Sequence, residues 1–332
     1  MLMTIGSTDR RIDKLIHLLV KNATVVVPGP KIAAEIGVTR GQVWRWIERL
    51  RSLPVDIRGV PREGYQLVTV PDILAPSLLR ADLGDCPLGR NILHYFRTES
   101  TNALALKLAA EGAEHGTVVV AEEQTAGRGR MGRVWYSEKS SGIYVSIILR
   151  PPLSPAAAPV LTLMAGLAAQ RAVSATTGLA VDIRWPNDLL VNGKKVCGIL
   201  TEMSAELDRL HAIVLGIGMN VNHRRMPADL ENIATSLRME AHRAISRVQV
   251  LVALLRELDR HYQLLLTDGK RAITERWEAV STFAHGKQVR VVTVAGEFRA
   301  TTTGLDPSGA LKVQYDDGRQ ESLLAGEIVE VK

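Results

Sequence analysis

Three arginines sit among glycines in the stretch GRGRMGRVW, residues 127–135: Arg128, Arg130 and Arg133. Guanidiniums held this close repel one another and gain little as a bare structural feature, so the pattern points to anions around which the loop folds. A triphosphate and a carboxylate in one site carry enough negative charge to order such a loop, each charge-assisted hydrogen bond contributing about 1.5 to 3 kcal/mol. The plainer alternative is an exposed basic surface loop. A second stretch, RWPNDLLVNGKKVCGIL at 184–200, places Asn187 and Asp188 at a strand end after Pro186. Its Asn192-Gly193 pair makes a tight hairpin that returns Lys195 towards them. A lysine opposite a carboxylate is a candidate reaction site, and by itself it is equally an ordinary hairpin with a solvated lysine.

The spacing G-x-G-x-x-G is also that of a dinucleotide-binding turn, which needs a strand directly before it, a helix starting within it and an acidic residue about 20 positions on. All three fail. EEQTA separates the VVVA strand from Gly127, VWYSEKSSGIYV is β-branched, aromatic and turn-forming, and no Asp or Glu occurs from Lys139 to Val181. A P-loop is absent too, since none of the Gly-Lys pairs at 193, 269 and 286 is followed by Ser or Thr. The chain has no G-x-S-x-G elbow, and its eight histidines are scattered without metal-ligand spacing. Cys86 and Cys197 are the only cysteines and have no C-x-x-C neighbour, which argues against a disulfide framework or a zinc site.

The elements that must position these residues alternate along 332 residues. Residues 1–70 read as helix, short helix, turn, helix and hairpin. Ile12, Leu15, Ile16 and Leu19 recur at helical spacing, Gly37 breaks KIAAEI, and Thr39 caps TRGQVWRWIERLRS. Val43, Trp46, Ile47 and Leu50 share one face of that last helix, leaving Arg40, Gln42, Trp44, Arg45 and Arg49 as the candidate DNA-binding face. VDIRG, PREG and YQLV follow as the wing of a winged helix. Any three-helix domain has a basic solvated face, but here cap, glycine turn and wing come in order. Eleven Lys/Arg against six Asp/Glu in this segment account for five of the net charge of +6, as expected of a nucleic-acid module on a different machine.

VTVPDILAPS then opens a central domain over 78–282, expected to be α/β (α+β) with a mixed, largely antiparallel sheet because several strands follow one another without a helix. Helical stretches from Arg247 to Leu266 and from Ala272 to Ala279 lead out of it. Residues 283–332 hold short strands punctuated by AGE, DPSG and DDG, expected to form a small SH3-like β-barrel. The longest apolar stretch, Ala156 to Ala169, contains Pro159 and is too short for the roughly 18 residues of a membrane span, so it is read as a core helix. The first residues carry no export-type apolar region, and the expected location is the cytoplasm, with no membrane partner.

The two motifs, together with Ser100-Thr101-Asn102, GIGMNVN at 216–222 and ATSL at 234–237, resemble the biotin protein ligases over essentially the whole chain. The N-terminal winged helix makes the nearest match the bacterial bifunctional form, both ligase and biotin operon repressor. That resemblance implies that Ser100, Thr101, Asn102, Gln124, Arg128, Gly129, Arg130 and Lys195 line a biotin site, with Gly127, Gly198, Gly216 and Gly218 permitting close backbone approach. It implies that Arg130, Arg133, Trp135, Asn187 and Asn220 face ATP, and that Asp188 sits beside the reacting phosphate. Met131 stands where the repressor-type relatives often have arginine.

The implied chemistry is adenylation of biotin, with Arg130, Lys195 and Asp188 as catalytic residues and Mg²⁺ accompanying ATP without a protein metal site. Transfer to a lysine of a biotin carboxyl carrier domain follows. Implied partners are that carrier, biotin operon DNA and a second copy of the chain in a ligand-induced homodimer. Three other readings stay open at this point: a lipoate-type ligase, a ligase without repressor activity, and a regulator with an inactive enzyme-like domain.

Overall fold

The computed structural model describes residues 7–205, 210–293 and 296–331. Helix α1 (Ser7–Lys21) buries Ile12, Leu15, Ile16 and Leu19 against α2 (Gly29–Ile36) and α3 (Arg40–Arg51). Each boundary has a local cause. Pro30 occupies the first turn of α2, Gly37 ends it at φ 74°, and Thr39 accepts a hydrogen bond from Gln42 N to start α3. Strands β1 (Val26–Val27), β2 (Ile57–Val60) and β3 (Gly64–Leu67) form a three-stranded sheet in the order β1-β3-β2. The stretch that opens the central domain runs into a further helix, α4 (Pro76–Leu83), which starts on a proline and stops at Gly84.

The central sheet has seven strands: β4 (Ile92–Tyr95), β5 (Val118–Ala121), β6 (Gly142–Leu149), β7 (Asp182–Arg184), β8 (Asp188–Val191), β9 (Lys194–Ala205) and β10 (Leu210–Asn220). Their order is β4-β5-β6-β10-β9-β8-β7. Only β4 and β5 run parallel, so the sheet is mixed and largely antiparallel. Helix α5 (Thr101–Ala110) covers one face with a small apolar cluster. Helices α6 (Ala158–Thr177) and α8 (Arg247–Val280) cover the other, and a short α7 (Leu237–Ala241) lies between β10 and α8. The segment Pro155–Thr177 is the one described helical stretch apolar and long enough to cross a membrane, yet it lies mostly buried, as a helix apolar all round does in a core. The two expected helical stretches near the end of this domain are one element broken at Gly269, where φ is 79°.

The C-terminal region corrects an expectation. Its strands β11 (His285–Thr293), β12 (Gly296–Leu305), β13 (Leu311–Tyr315), β14 (Gln320–Leu323) and β15 (Glu327–Glu330) form one sheet in the order β14-β13-β12-β11-β15. It does not close into an SH3-like barrel. Irregularities between His285 and Gln288 and between Thr302 and Gly304 bend it, but no ladder joins β14 to β15. Both edge strands are four residues long, and only Leu323 of β14 is buried. Because every neighbouring pair is antiparallel, β14 and β15 run the same way, and the three residues between them are too few to let two successive strands pair in parallel.

Candidate functional site

A cavity opens over the crossing of β9 and β10, where Gly198 pairs with Gly218 and Gly216 with Leu200. The missing side chains make the floor. A Cβ on Gly216 would lie 2.0 Å from Asn102 Oδ1, and one on Gly218 would lie 2.5 Å from the Trp135 indole. Around one end of the floor runs a polar network set by the N-terminus of α5, which Ser100 caps. Gln124 Oε1 accepts from Thr101 N at 2.8 Å and from Thr101 Oγ1 at 3.1 Å. Ser146 Oγ donates to Thr101 and Asn102, and Asn102 Nδ2 donates to Glu202 at 2.8 Å and to the Leu200 carbonyl at 3.2 Å. Donors and acceptors are thus held in fixed directions, as recognition of a small ligand with both requires.

At the other end stand the ionic groups. Asp188 accepts from Arg184 Nη2 at 2.7 Å, and Lys195 Nζ lies 2.5 Å from its other oxygen. Burial would raise the Asp188 pKa, but Lys195 and Arg184 outweigh it and hold the carboxyl below the usual range. Lys195 reaches this position because the ladder slips. Leu189 opposes Cys197 but Leu190 opposes Lys195, so Val196 is an extra residue on β9. Without that bulge, Lys195 and Gly198, three apart, would face opposite sides of the sheet. The lysine is also 5.4 Å from the Trp135 ring centre. Neighbouring Cys197 is buried and its thiol pushed up to about 12, mainly by desolvation, so it is inert.

The glycine and arginine loop folds back on itself above the cavity. Gly129 N donates to the Arg133 carbonyl at 2.7 Å and Trp135 N to the Gly127 carbonyl at 2.9 Å, with Met131 exposed at the tip at φ 55°. Arg130 Nη1 donates to Asn187 Oδ1 at 3.2 Å, and burial lowers its pKa from the ordinary arginine value. Arg133 turns outward to Glu327 of β15 at 2.7 Å. Asn187 is fixed in turn by donating to the Ile199 carbonyl at 2.7 Å.

Of the residues singled out for biotin, Ser100, Thr101, Asn102, Gln124, Arg128, Gly129, Arg130, Lys195, Gly198, Gly216 and Gly218 border this one cavity. Gly127 lies behind it, packed against Trp135, Ser137 and Gln124. Arg133, Trp135, Asn187 and Asn220 border an adjoining, more apolar hollow whose wall includes Met226, Leu230, Ile233 and Val329. Arg130 faces the first cavity. The pattern did not bring out Arg184 or Glu327, whose partners lie on other elements, nor the buried network of Asp72, Glu122 and Arg247. Arg247 is fully buried and donates to Asp72 Oδ2 at 3.1 Å and Glu122 Oε2 at 2.8 Å. On the winged helix, Arg40, Trp44, Arg45 and Arg49 are exposed and Gln42 half-buried, and Arg49 also lies 4.3 Å from the Phe96 ring of the central domain. No group of three or more His, Cys, Asp or Glu suited to a metal occurs among the described residues.

A DNA-binding helix-turn-helix joined to a ligase core is the class that these parts define, and comparison with known proteins agrees. Residues 95–220 match the biotin/lipoate A/B protein ligase family, residues 284–329 the biotin protein ligase C-terminal domain, and residues 11–66 a helix-turn-helix domain. The chain belongs to the biotin protein ligase family, in its ligase/repressor branch. It is 38% identical over 306 residues to the bifunctional ligase/repressor BirA of Bacillus subtilis, covering 92% of this chain and 94% of that protein. It is 33% identical to a biotin–[acetyl-CoA-carboxylase] ligase of Mycobacterium tuberculosis, over 79% of this chain and 98% of the relative. The structure of a biotin protein ligase from Aquifex aeolicus in complex with biotin and ATP superimposes with a TM-score of 0.63 at 27% identity, covering 73% of this chain and 99% of that one.

Proposed function

We propose that this chain is a biotin protein ligase that forms biotinyl-5′-AMP and passes the biotin to a lysine of a carboxylase carrier domain. It is also a biotin-responsive repressor. The observation that carries the enzymatic reading is the Lys195–Asp188 pair beside Arg130, on a glycine floor whose far end is lined by Thr101, Asn102 and Gln124. The ureido ring of biotin offers two N–H donors and a carbonyl, which suit that polar end, while its carboxylate suits the cationic end. ATP takes the adjoining hollow bordered by Trp135, Asn187, Asn220 and Arg133. The division into a DNA-binding unit at 1–70, a catalytic unit at 78–282 and a C-terminal unit at 283–332 belongs to this reading.

In the first step the biotin carboxylate oxygen attacks the α-phosphorus, and the bond to the bridging oxygen of pyrophosphate breaks. Lys195 and Arg130 orient the carboxylate and stabilise charge on the phosphoryl oxygens. Asp188 stays ionised, keeps Lys195 in place and can accept a hydrogen bond from the incoming lysine amine of the carrier. That amine, arriving neutral, attacks the acyl carbon; the acyl C–O bond to the phosphate breaks, AMP leaves, and the amine proton passes to solvent water. The Mg²⁺ expected with ATP would neutralise charge on the leaving pyrophosphate; Asp188, with its two oxygens engaged by Arg184 and Lys195, is not offered as its ligand.

Lys195→Ala is the test of the site: adenylate formation in a single turnover should slow by about 10² to 10³. Unchanged burst kinetics would refute the assignment. The repressor reading is tested by fluorescence anisotropy of a biotin-gene promoter duplex, which should bind more tightly with biotin plus ATP. A ligase whose winged helix regulates nothing is the second reading. It is favoured by Arg49, one of the five candidate DNA-binding side chains, which stays exposed but stacks on the Phe96 ring of the same chain.

A further inference from the structure

Helix α3, the helix that would enter the DNA groove, is capped by Ser52, whose N–H reaches back to the Glu48 and Arg49 carbonyls, whereas the Ser52 carbonyl itself needs a partner from outside the helix. Lys139 of the central domain supplies one: its Nζ donates to the Ser52 carbonyl at 2.7 Å and lies 3.5 Å from Ser52 Oγ. A cation there also offsets the negative end of the helix dipole. One turn earlier Arg49 stacks on Phe96, so α3 is held to the central domain at two places.

Lys139 stands on a segment that the ligand cavity itself grips. Gln124, in the cavity wall, donates through Nε2 to Ser137 Oγ at 2.9 Å. Tyr144, also in the wall, donates its hydroxyl to the Glu138 carbonyl at 2.8 Å. Ser140, at φ 56°, donates its N–H to the Glu122 carbonyl and closes the segment against the end of β5. Two side chains of the cavity wall therefore hold the two residues immediately before Lys139.

We propose that Lys139 carries the occupancy of the cavity to the DNA-reading helix. A ligand that fixes Gln124 and Tyr144 fixes residues 137–139, and the Lys139 cap then steadies the last turn of α3. This coupling runs within one chain and is additional to any effect of dimerisation. It rests on the reading of the cavity as the biotin and adenylate site, and Lys139 itself takes no part in the chemistry.

The test is amide hydrogen exchange on the full chain, with and without biotin plus ATP, in the wild type, Lys139→Met and the conservative Lys139→Arg. All three should form adenylate at the same rate and gain protection over residues 124–137. In the wild type and Lys139→Arg, exchange over residues 49–53 should slow about two- to fivefold, the range expected of one exposed cation at a helix end. In Lys139→Met it should not. Equal slowing in Lys139→Met overturns the proposal, as does an unchanged α3 in a wild type whose loop is protected. Absence of loop protection in every variant overturns the cavity assignment, and the proposal with it.

Discussion

Glu122→Gln is the perturbation whose size follows most directly from the structure. Glu122 is fully buried and accepts from Arg247 at 2.8 Å, from Leu74 N at 2.8 Å and, at 3.1 Å, from the His94 ring. Burial alone would raise its pKa, yet Arg247 and His94 bring it down from an ordinary 4.5 to about 2. A depression of that size corresponds to about 3 kcal/mol at neutral pH, in line with the roughly 3 to 5 kcal/mol lost when one member of a buried pair is removed. Glutamine keeps an acceptor for Leu74 and His94 but turns an amide donor towards Arg247. Because the folded pKa is depressed, the stabilisation is complete above about pH 4.5, falls to about half by pH 3 and is lost as pH drops through 2. Urea unfolding of wild type and Glu122→Gln at pH 7.5, 5 and 3 measures the gap. A gap under about 1 kcal/mol at pH 7.5, or one that stays constant down to pH 3, refutes the reasoning.

Three further outcomes are expected. Gly216→Ala should weaken biotin binding by at least about tenfold in calorimetry while Gly178→Ala, in open space, leaves it unchanged, because only the first drives a methyl into Asn102. Trypsin cleavage after Arg128 or Arg130 should slow with biotin plus ATP, and equal rates with and without ligands would sink the idea that the loop orders over them. His223, lowered to about 4 by burial and by Arg247, is neutral in the fold. Its stabilisation is present above about pH 6.5 and lost as pH falls towards 4, so His223→Gln should flatten the decline of the urea midpoint over that window.

Much of the architecture was legible because its causes are local. Gly37 and Thr39 mark the turn before α3, and Asn192 and Gly193, at φ 50° and 76°, make the hairpin that returns Lys195. The strand succession announced a mixed sheet. What escaped depends on distant contacts or on counts that no pattern gives. The Val196 bulge is a slip of one residue between two strands. Arg247, Asp72 and Glu122 meet across more than a hundred residues of chain, each looking like an ordinary surface charge in the sequence. The strands of the C-terminal sheet could be read one by one, except the polar β14, whereas closure depends on what its two edges find beside them. Arg49 was readable as exposed on its own helix, as it is; that it also stacks on a ring from another domain was not.

The winged helix has its own apolar core, separate from that of the central sheet, and the seam between them has consequences for how such a chain can be shortened. Phe96, Ile73 and Ala75 come from beyond the winged helix yet pack into its core. A chain begun after residue 70 would keep the cavity residues together but would strip the cover from these three. It would also leave Lys139 without its carbonyl. A one-domain ligase made from this sequence therefore inherits an apolar scar, and polar replacements at Phe96 and Ile73 are the repair that lineages lacking the module would need.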